Sequence, residues 1–367
     1  MKQTTSPILS IAEAYRGKTL LVTGVSGFLG KVWFSMFMKN VDDFAHVYVL
    51  IRGKGSQSAQ DRMHGMLKDS YAFKPWLENS AAMREKFAQK VTVLQGDISL
   101  ARLGIDAYTA NQLYEQLDMV MNISGLVDFR PSLETAFNIN VKGIENLATF
   151  VRACKRAKFL HVSTCYVAGK REGALEERLY DRTPNNQPLD PLKEIEWMQY
   201  AIAKTYETFN GKEKTQEISR MVQKRFESKN RTPNLKQFQR SVEQIRQREI
   251  AMELIRIGTD KAEALGWPNT YTYSKATAEA LLNREFSDVD FCIVRPAIVE
   301  CASQYPFAGW NEGFNTSGPL AYLMKGWFRH FPSEEDHPFD VVPVDYVAKG
   351  LMIAGALNLL GKAKSVY

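Results

Sequence analysis

Cysteine is scarce. The 367 residues include four, Cys154, Cys165, Cys292 and Cys301, each standing alone with no C-x-x-C pair and no adjacent histidine set. That spacing argues against both a zinc site and a disulfide framework, so no metal and a reducing, cytoplasmic setting are expected. Long hydrophobic runs are missing too: no stretch of about 18 uncharged apolar residues occurs. The apolar segment from Val341 to Leu360 is broken by Asp345 and Lys349. The opening Met1-Lys2-Gln3-Thr4-Thr5-Ser6 lacks the apolar core of a secretory signal. There is no internal repeat and no low-complexity segment. Nor is there a strong excess of charge. Lys and Arg number 47 against 41 Asp and Glu, a formal +6, and no nucleic-acid partner is expected.

What is present is an ordinary globular composition, 45% hydrophobic and 24% charged, in a chain long enough for two domains or one large one. Short β-branched runs alternate with helical segments, the pattern of a parallel sheet covered by helices. The expected strands are Thr19 to Thr23, His46 to Arg52, Val91 to Gln95, Met119 to Ile123, Lys158 to Ser163 and Phe291 to Arg295. The clearest helices are Phe28 to Lys39, Leu133 to Arg156 and about Tyr271 to Glu285. Between Gly169 and Gly266 the alternation fails. Phe238, Val242, Ile245, Met252 and Ile255 recur at helical spacing there, predicting two or three inserted helices. From Ala201 to Asp260 there are 13 Lys and Arg against 8 Asp and Glu, so most of the net charge sits in this insertion. Such basic helices are either a solvated face or a surface for an anionic ligand or membrane. After Pro296 come aromatic runs, Tyr305-Pro306-Phe307-Ala308-Gly309-Trp310, Trp327-Phe328 and Phe331-Pro332, suited to a substrate lobe or to plain packing.

Two motifs carry chemistry. Leu20-Leu21-Val22-Thr23-Gly24-Val25-Ser26-Gly27-Phe28-Leu29-Gly30 runs from strand through glycine turn to helix. Gly24 and Gly27 let backbone amides approach a pyrophosphate, Gly30 lets helix and sheet pack closely, and the helix N-terminus favours the anion. At the end of the second strand an acidic residue would choose NAD, whereas Arg52, with Lys54 and Arg62 in support, suits a 2′-phosphate; NADPH is therefore expected. Asp97, in Gly96-Asp97-Ile98, is placed either to accept from the adenine amino group or to cap a turn. The second motif is Tyr271-Thr272-Tyr273-Ser274-Lys275 with Val162-Ser163-Thr164. Four-residue spacing puts Tyr271 and Lys275 on one helix face and turns Tyr273 elsewhere. An ammonium beside the phenol would lower its pKa, and bringing it from about 10 to between about 7 and 8 asks about 3 to 4 kcal/mol of the surroundings. Cys165 has no evident activating base and is read as packing.

Together these residues resemble the extended short-chain dehydrogenase/reductase superfamily, a Rossmann-type doubly wound parallel sheet. The resemblance makes Thr164 the hydroxyl donor, Tyr271 the proton donor, Lys275 the ribose-binding lysine and Asn140 the helix asparagine that holds the site together. The finer spelling is similar to bacterial fatty acyl-CoA reductases: Val127-Asp128-Phe129-Arg130, His161 to Val167, Ile293 to Glu300, Pro306 to Trp310 and Val342 to Val347. Asn122-Ile123-Ser124-Gly125 departs from that family's alanine-rich spelling after strand four. The cofactor contacts implied are Gly24, Ser26, Gly27, Phe28, Leu29, Gly30, Arg52, Arg62, Asp97, Ile98, Asn140, Tyr271, Lys275, Pro296 and Ile298.

The resemblance implies NADPH-dependent reduction of a long-chain fatty acyl-CoA to aldehyde or primary alcohol, with CoA released. Rival readings are a nucleotide-sugar reductase, epimerase or dehydratase, an acyl-carrier thioester reductase, and a non-catalytic NADPH-binding scaffold. The expected division is a cofactor core over 1–170, the helical insertion over 171–265, catalytic helix and sixth strand over 266–300, and a substrate lobe over 301–367. The basic insertion would face CoA or a membrane periphery. Ser365-Val366-Tyr367 reads like a strand cut short, so the sequence is expected to be part of a longer enzyme.

Overall fold

Six parallel strands order the molecule, as seen in a computed structural model that describes residues 10–74, 80–128, 130–171, 173–313, 318–326 and 339–367. They are β1 (Thr19–Thr23), β2 (His46–Ile51), β3 (Val91–Gln95), β4 (Met119–Asn122), β5 (Lys158–Val162) and β6 (Phe291–Val294). Their order is β3-β2-β1-β4-β5-β6, so the chain reverses direction across the sheet between β1 and β4. A crevice opens beyond the carboxyl ends of the strands at such a switch point. Every residue of β1 is buried, as a central strand covered on both faces requires.

The strands' alternating side chains feed two helical layers. Leu20, Val22, Val47 and Met119 pack on Trp33, Phe34 and Phe37 of α1 (Phe28–Asn40) and on residues of a late helix such as Val347 and Leu351. Leu21, Val120, Phe159 and Ile293 face the other way, onto Leu113, Leu147, Val151 and Leu281. Helices α2 (Ala59–Asp69), α3 (Ala81–Lys90) and α4 (Ala107–Gln116) complete the crossovers. The next helix, α5, is three segments run together: Leu133–Ala136, the π-helical Phe137–Lys142, and Gly143–Ala153. The sequence pattern predicts one regular helix there. The wider π turn carries Asn140, buried between two other elements, and such bulges gather at functional sites.

Between β5 and β6 stand α6 (Pro191–Asn210), α7 (Lys212–Glu227) and α8 (Leu235–Ala264). Asp190 caps α6 by accepting from the amides of Leu192 and Lys193, and Asn234 with Gln237 forms a capping box on α8. The thirty residues of α8 make a rod of about 45 Å. Its later half and α6 bury Leu254, Ala262 and Met198 against Tyr273 and Ala276 of α9 (Thr270–Glu285). Glu194 of α6 fastens this base: it accepts from the Tyr273 hydroxyl and pairs with Lys261 of α8 at 3.1 Å. Farther out, Ile218, Val222 and Val242 form a small core of their own, flanked by Phe226, Phe238 and Ile245.

After β6, β7 (Ile298–Glu300) pairs in parallel with β8 (Val341–Pro343). Helices α10 (Gly318–Lys325) and α11 (Val344–Leu359) follow the loops around them. Asp345, fully buried, accepts from the amides of Ser303, Gln304 and Tyr305 at 2.8, 3.1 and 3.3 Å and fixes the loop after β7. Ser365 to Tyr367 run alongside β6: Ile293 N donates to Ser365 O and Tyr367 N to Ile293 O, both at 2.9 Å. Arg52, Ile123, Ser163 and Arg295, each expected as a final strand residue, lie just past the strand ends, where the strands splay around the crevice. The aromatic pairs Trp327-Phe328 and Phe331-Pro332, and Phe129, lie outside the described residues.

One buried ion pair ties α9 to the strand beside it. Arg295 Nε contacts both Glu279 oxygens, at 3.1 and 3.2 Å, its Nη1 donates to Arg178 O, and the two side chains are only 7% and 4% exposed. Removing one partner leaves an uncompensated buried charge. Glu279→Ala is therefore expected to lose about 3 to 5 kcal/mol in urea denaturation, and Glu279→Gln, which keeps acceptors, to lose less.

Candidate functional site

The glycine turn sets the position of everything above it. Gly24 has φ +82°, and a Cβ there would lie 2.3 Å from Ser124 N; a Cβ on Gly30 would lie 2.1 Å from Gly24 O. Only hydrogen fits either place, so α1 starts hard against β1 and the loop after β4. Gly24's freedom thus serves that loop, whereas the sequence reading gave it to the ligand. Gly27 N donates to Gly24 O at 2.9 Å, and Gly27 caps α1 with no side chain taking the first helical amides. Those amides and the helix's positive end face the crevice.

Two cavities, of about 280 and about 220 Å³, share Gly24, Gly27, Ile123, Ser124 and Gly125. They form one cleft over the switch point. The first is lined further by Ser26, Arg52, Arg62, Asp97 and Ile98. Arg62 Nη1 donates to Arg52 O, and Arg52 Nη1 lies 3.5 Å from Asp97. Asp97 also accepts from Ser99 N and Oγ, and its pKa is lowered despite desolvation, by these bonds and by Arg52. Asp97 thus closes a turn, as one of its two sequence readings has it, and also lines the cleft. Lys54 lines neither cavity: it closes a tight turn with Gln57.

The second cavity is lined by Phe28, Leu29 and Gly30 on one side, Thr164, Tyr271 and Lys275 on another, and Pro296 and Ile298 across from them. Tyr271 and Thr164 are joined by a side-chain hydrogen bond. Burial pushes the Tyr271 phenol up to about 12, with the Thr164 bond pulling the other way. Lys275 is also buried; its Nζ donates to Val162 O at 3.0 Å, and desolvation brings its pKa down to about 8. The sequence reading had the ammonium lower the phenol. In the structure the ammonium is held by the Val162 carbonyl and burial governs both groups, so Tyr271 keeps its proton at neutral pH. Tyr273 turns away to Glu194. Cys165 is pushed up to about 11, mainly by burial, and is a poor nucleophile there.

Asn140, expected at the cofactor, lines neither cavity. Its Oδ1 accepts from Leu126 N at 3.1 Å and its Nδ2 donates to Ser274 Oγ at 3.0 Å, so it braces the cleft floor against α9. The sequence reading passed over Ser124, Gly125, Ser163 and Tyr166, all lining residues. Ser124 was within reach: Asn122, two residues before it in the atypical segment, is fully buried, accepts from Thr23 and Ser124, and donates to His161 Nδ1 at 3.0 Å. That row holds the floor in place. Ser163 Oγ is buried with no partner among the described residues, a group that a ligand in this cleft would satisfy. With the uncapped start of α1 and the unpartnered Ser163 hydroxyl, the residues fit a dinucleotide. Among the described residues there is no cluster of metal ligands, and no helix is long and apolar enough to cross a membrane.

Lys275 also makes stability depend on pH. Its folded pKa of about 8 lies below the ordinary 10.5, so the unfolded chain binds this proton more readily. The resulting penalty is full below about 8, fades as pH rises and vanishes above 10.5. Lys275→Met is expected to melt higher than the parent at pH 7, with the difference narrowing towards pH 10.5, as read by thermal denaturation.

A family model described as Male sterility protein matches residues 22–351. The chain is 28% identical over 350 residues to fatty acyl-CoA reductase 2, chloroplastic, of Arabidopsis thaliana, covering 94% of this chain and 52% of that protein. It is 27% identical to the alcohol-forming fatty acyl-CoA reductase of Simmondsia chinensis, covering 94% and 64%. It thus spans between about half and two thirds of these relatives' length. Among solved structures, the terminal R domain from the myxalamid PKS-NRPS biosynthetic pathway superposes with a TM-score of 0.57 at 19% identity, over 93% of this chain and 63% of that one, a likeness of fold. The glycine turn and the cleft above it lie within the matched region, and the chain belongs to the Male sterility protein family, a nicotinamide-dinucleotide-binding branch of the extended short-chain dehydrogenase/reductase fold.

Proposed function

We propose that the chain is an NADPH-dependent reductase of long-chain fatty acyl-CoA, giving fatty aldehyde and then primary alcohol. The observation that carries the reading is the bonded pair Thr164 and Tyr271, set with Lys275 in one cleft above the glycine turn. The named activity of the similar plant proteins supports the substrate. Arg52 and Arg62, side by side at the cofactor end, support NADPH over NADH, because guanidinium forks bind a 2′-phosphate in pairs.

NADPH, when bound, supplies the hydride for the thioester carbonyl carbon. Thr164 and Tyr271 hydrogen-bond the carbonyl oxygen as negative charge develops on it, and Tyr271 delivers the proton. A phenol held near pKa 12 is fully protonated at pH 7, the state a reduction needs. Lys275, still mostly an ammonium at that pH, would hold the ribose hydroxyls. The hemithioacetal then collapses and expels the CoA thiol. Val127, Val299 and Phe28 make this half of the cleft mainly apolar, which suits an acyl chain. The segment after β6 serves as the substrate lobe, and a cytoplasmic setting fits the four free thiols.

Incubation with NADPH and palmitoyl-CoA, counting NADPH oxidised per CoA released, tests the reading. Two per CoA are expected for an alcohol; one marks an aldehyde; no CoA release refutes the activity. Tyr271→Phe is expected to lower kcat by about 100-fold or more with little change in KM for NADPH. Arg52→Ala is expected to raise KM for NADPH about tenfold while leaving that for NADH near the parent value.

A further inference from the structure

Between α7 and α8, away from the cofactor cleft, lies a cavity of about 290 Å³. Arg225, Lys229, Arg231 and Arg248 line it over an apolar floor of Val222 and Phe226, and no carboxylate does. The contrast with the rest of the insertion is sharp. There Lys204 pairs with Glu207, Lys214 with Glu217, and Arg256 with Glu253 and Asp260, at 2.7 to 2.9 Å. Between residues 220 and 248, nine Lys and Arg face two Glu. Among the described residues only Arg246 of the nine has a carboxylate partner, Glu243 at 2.7 Å.

A helix C-terminus favours cations, which accounts for Arg225 in the last turn of α7. It does not account for Arg231 in the connecting loop or Arg248 inside α8. Like charges gathered round one hollow repel one another, and among the described residues no carboxylate lines it; a bound anion would offset them. Three of the four are arginines, whose planar forks match phosphate oxygens. Ser241 and Gln244 add neutral hydrogen-bonding groups to the wall.

We propose that this cavity is a binding site for the phosphate groups of a ligand, separate from the cofactor cleft. Two sources share that chemistry, an anionic lipid headgroup and the nucleotide end of coenzyme A. The site stands on its own residues, and direct binding measurements test it without any turnover, so its failure and that of the reductase reading are distinguishable. The test variant carries Arg225→Gln, Lys229→Gln, Arg231→Gln and Arg248→Gln. The control removes four paired cations, by Lys155→Gln just past the end of α5, whose ammonium pairs with Glu115, and by Lys204→Gln, Lys214→Gln and Arg256→Gln. Both are compared with the parent in co-sedimentation with phosphatidylcholine vesicles, with and without phosphatidylglycerol, and in calorimetric titration with coenzyme A and 3′-dephospho-coenzyme A. About tenfold weaker binding of the test variant to the anionic vesicles assigns the site to lipid. The same loss for coenzyme A, but not for its dephospho form, assigns it to the nucleotide phosphate. A double variant, Arg231→Gln with Arg248→Gln, is expected to show part of either loss and serves if the quadruple variant does not fold by circular dichroism. No difference from the parent with any probe, or an equal loss in the control, overturns the proposal.

Discussion

The rest of the structure depends on how closely α1 approaches the sheet. Gly30 meets the carbonyl of Gly24, and Gly24 meets the backbone at Ser124, across gaps that leave no room for a methyl group. These contacts fix where α1 begins, and so where its free amides point. They also fix what can lie above. Phe28, the first residue of α1, stacks on Trp310 with ring centroids 5.1 Å apart, and Lys31 one turn on pairs with Glu312 at 2.8 Å. The loop after β7 is thereby anchored to the same helix that presents its free amides to the cleft, and both halves of the cleft take their registration from one turn.

Burial then divides the labour between two side chains one helical turn apart. The same low-dielectric surroundings push a phenol up and an ammonium down, so Tyr271 holds its proton while Lys275 rests on a backbone carbonyl. For the proposed reaction, a donor and a cation held at different places serve better than a pre-formed phenolate would. Asn140 and the Thr23, Asn122 and His161 row do their part from behind, by keeping the floor of the cleft from shifting.

Much of this was legible in the sequence because it depends on local pattern. The strand, turn and helix around Gly24 to Gly30, the six strands, and the shared face of Tyr271 and Lys275 follow from periodicity and spacing. What was not legible depends on non-local packing. The π turn in α5 carries Asn140 to Leu126 and Ser274, residues 14 and 134 positions away. The direction in which the Tyr271 pKa moves depends on burial, which spacing does not report. Lys54 looked as useful as Arg62 in the sequence, but Lys54 closes a turn with Gln57 whereas Arg62, brought back by α2, reaches the Arg52 carbonyl.

Glu194 connects two regions with different work. It holds the Tyr273 hydroxyl on α9 and the Lys261 ammonium on α8, while the outer part of the insertion adds a small core of its own, Ile218 and Val222 of α7 against Val242 of α8. The hairpin of α7 and α8 is thus an arm with its fulcrum beside the cleft. A load on the far end of a rod about 45 Å long acts on that fulcrum with considerable leverage, and the torque is delivered to the helix that carries Tyr271.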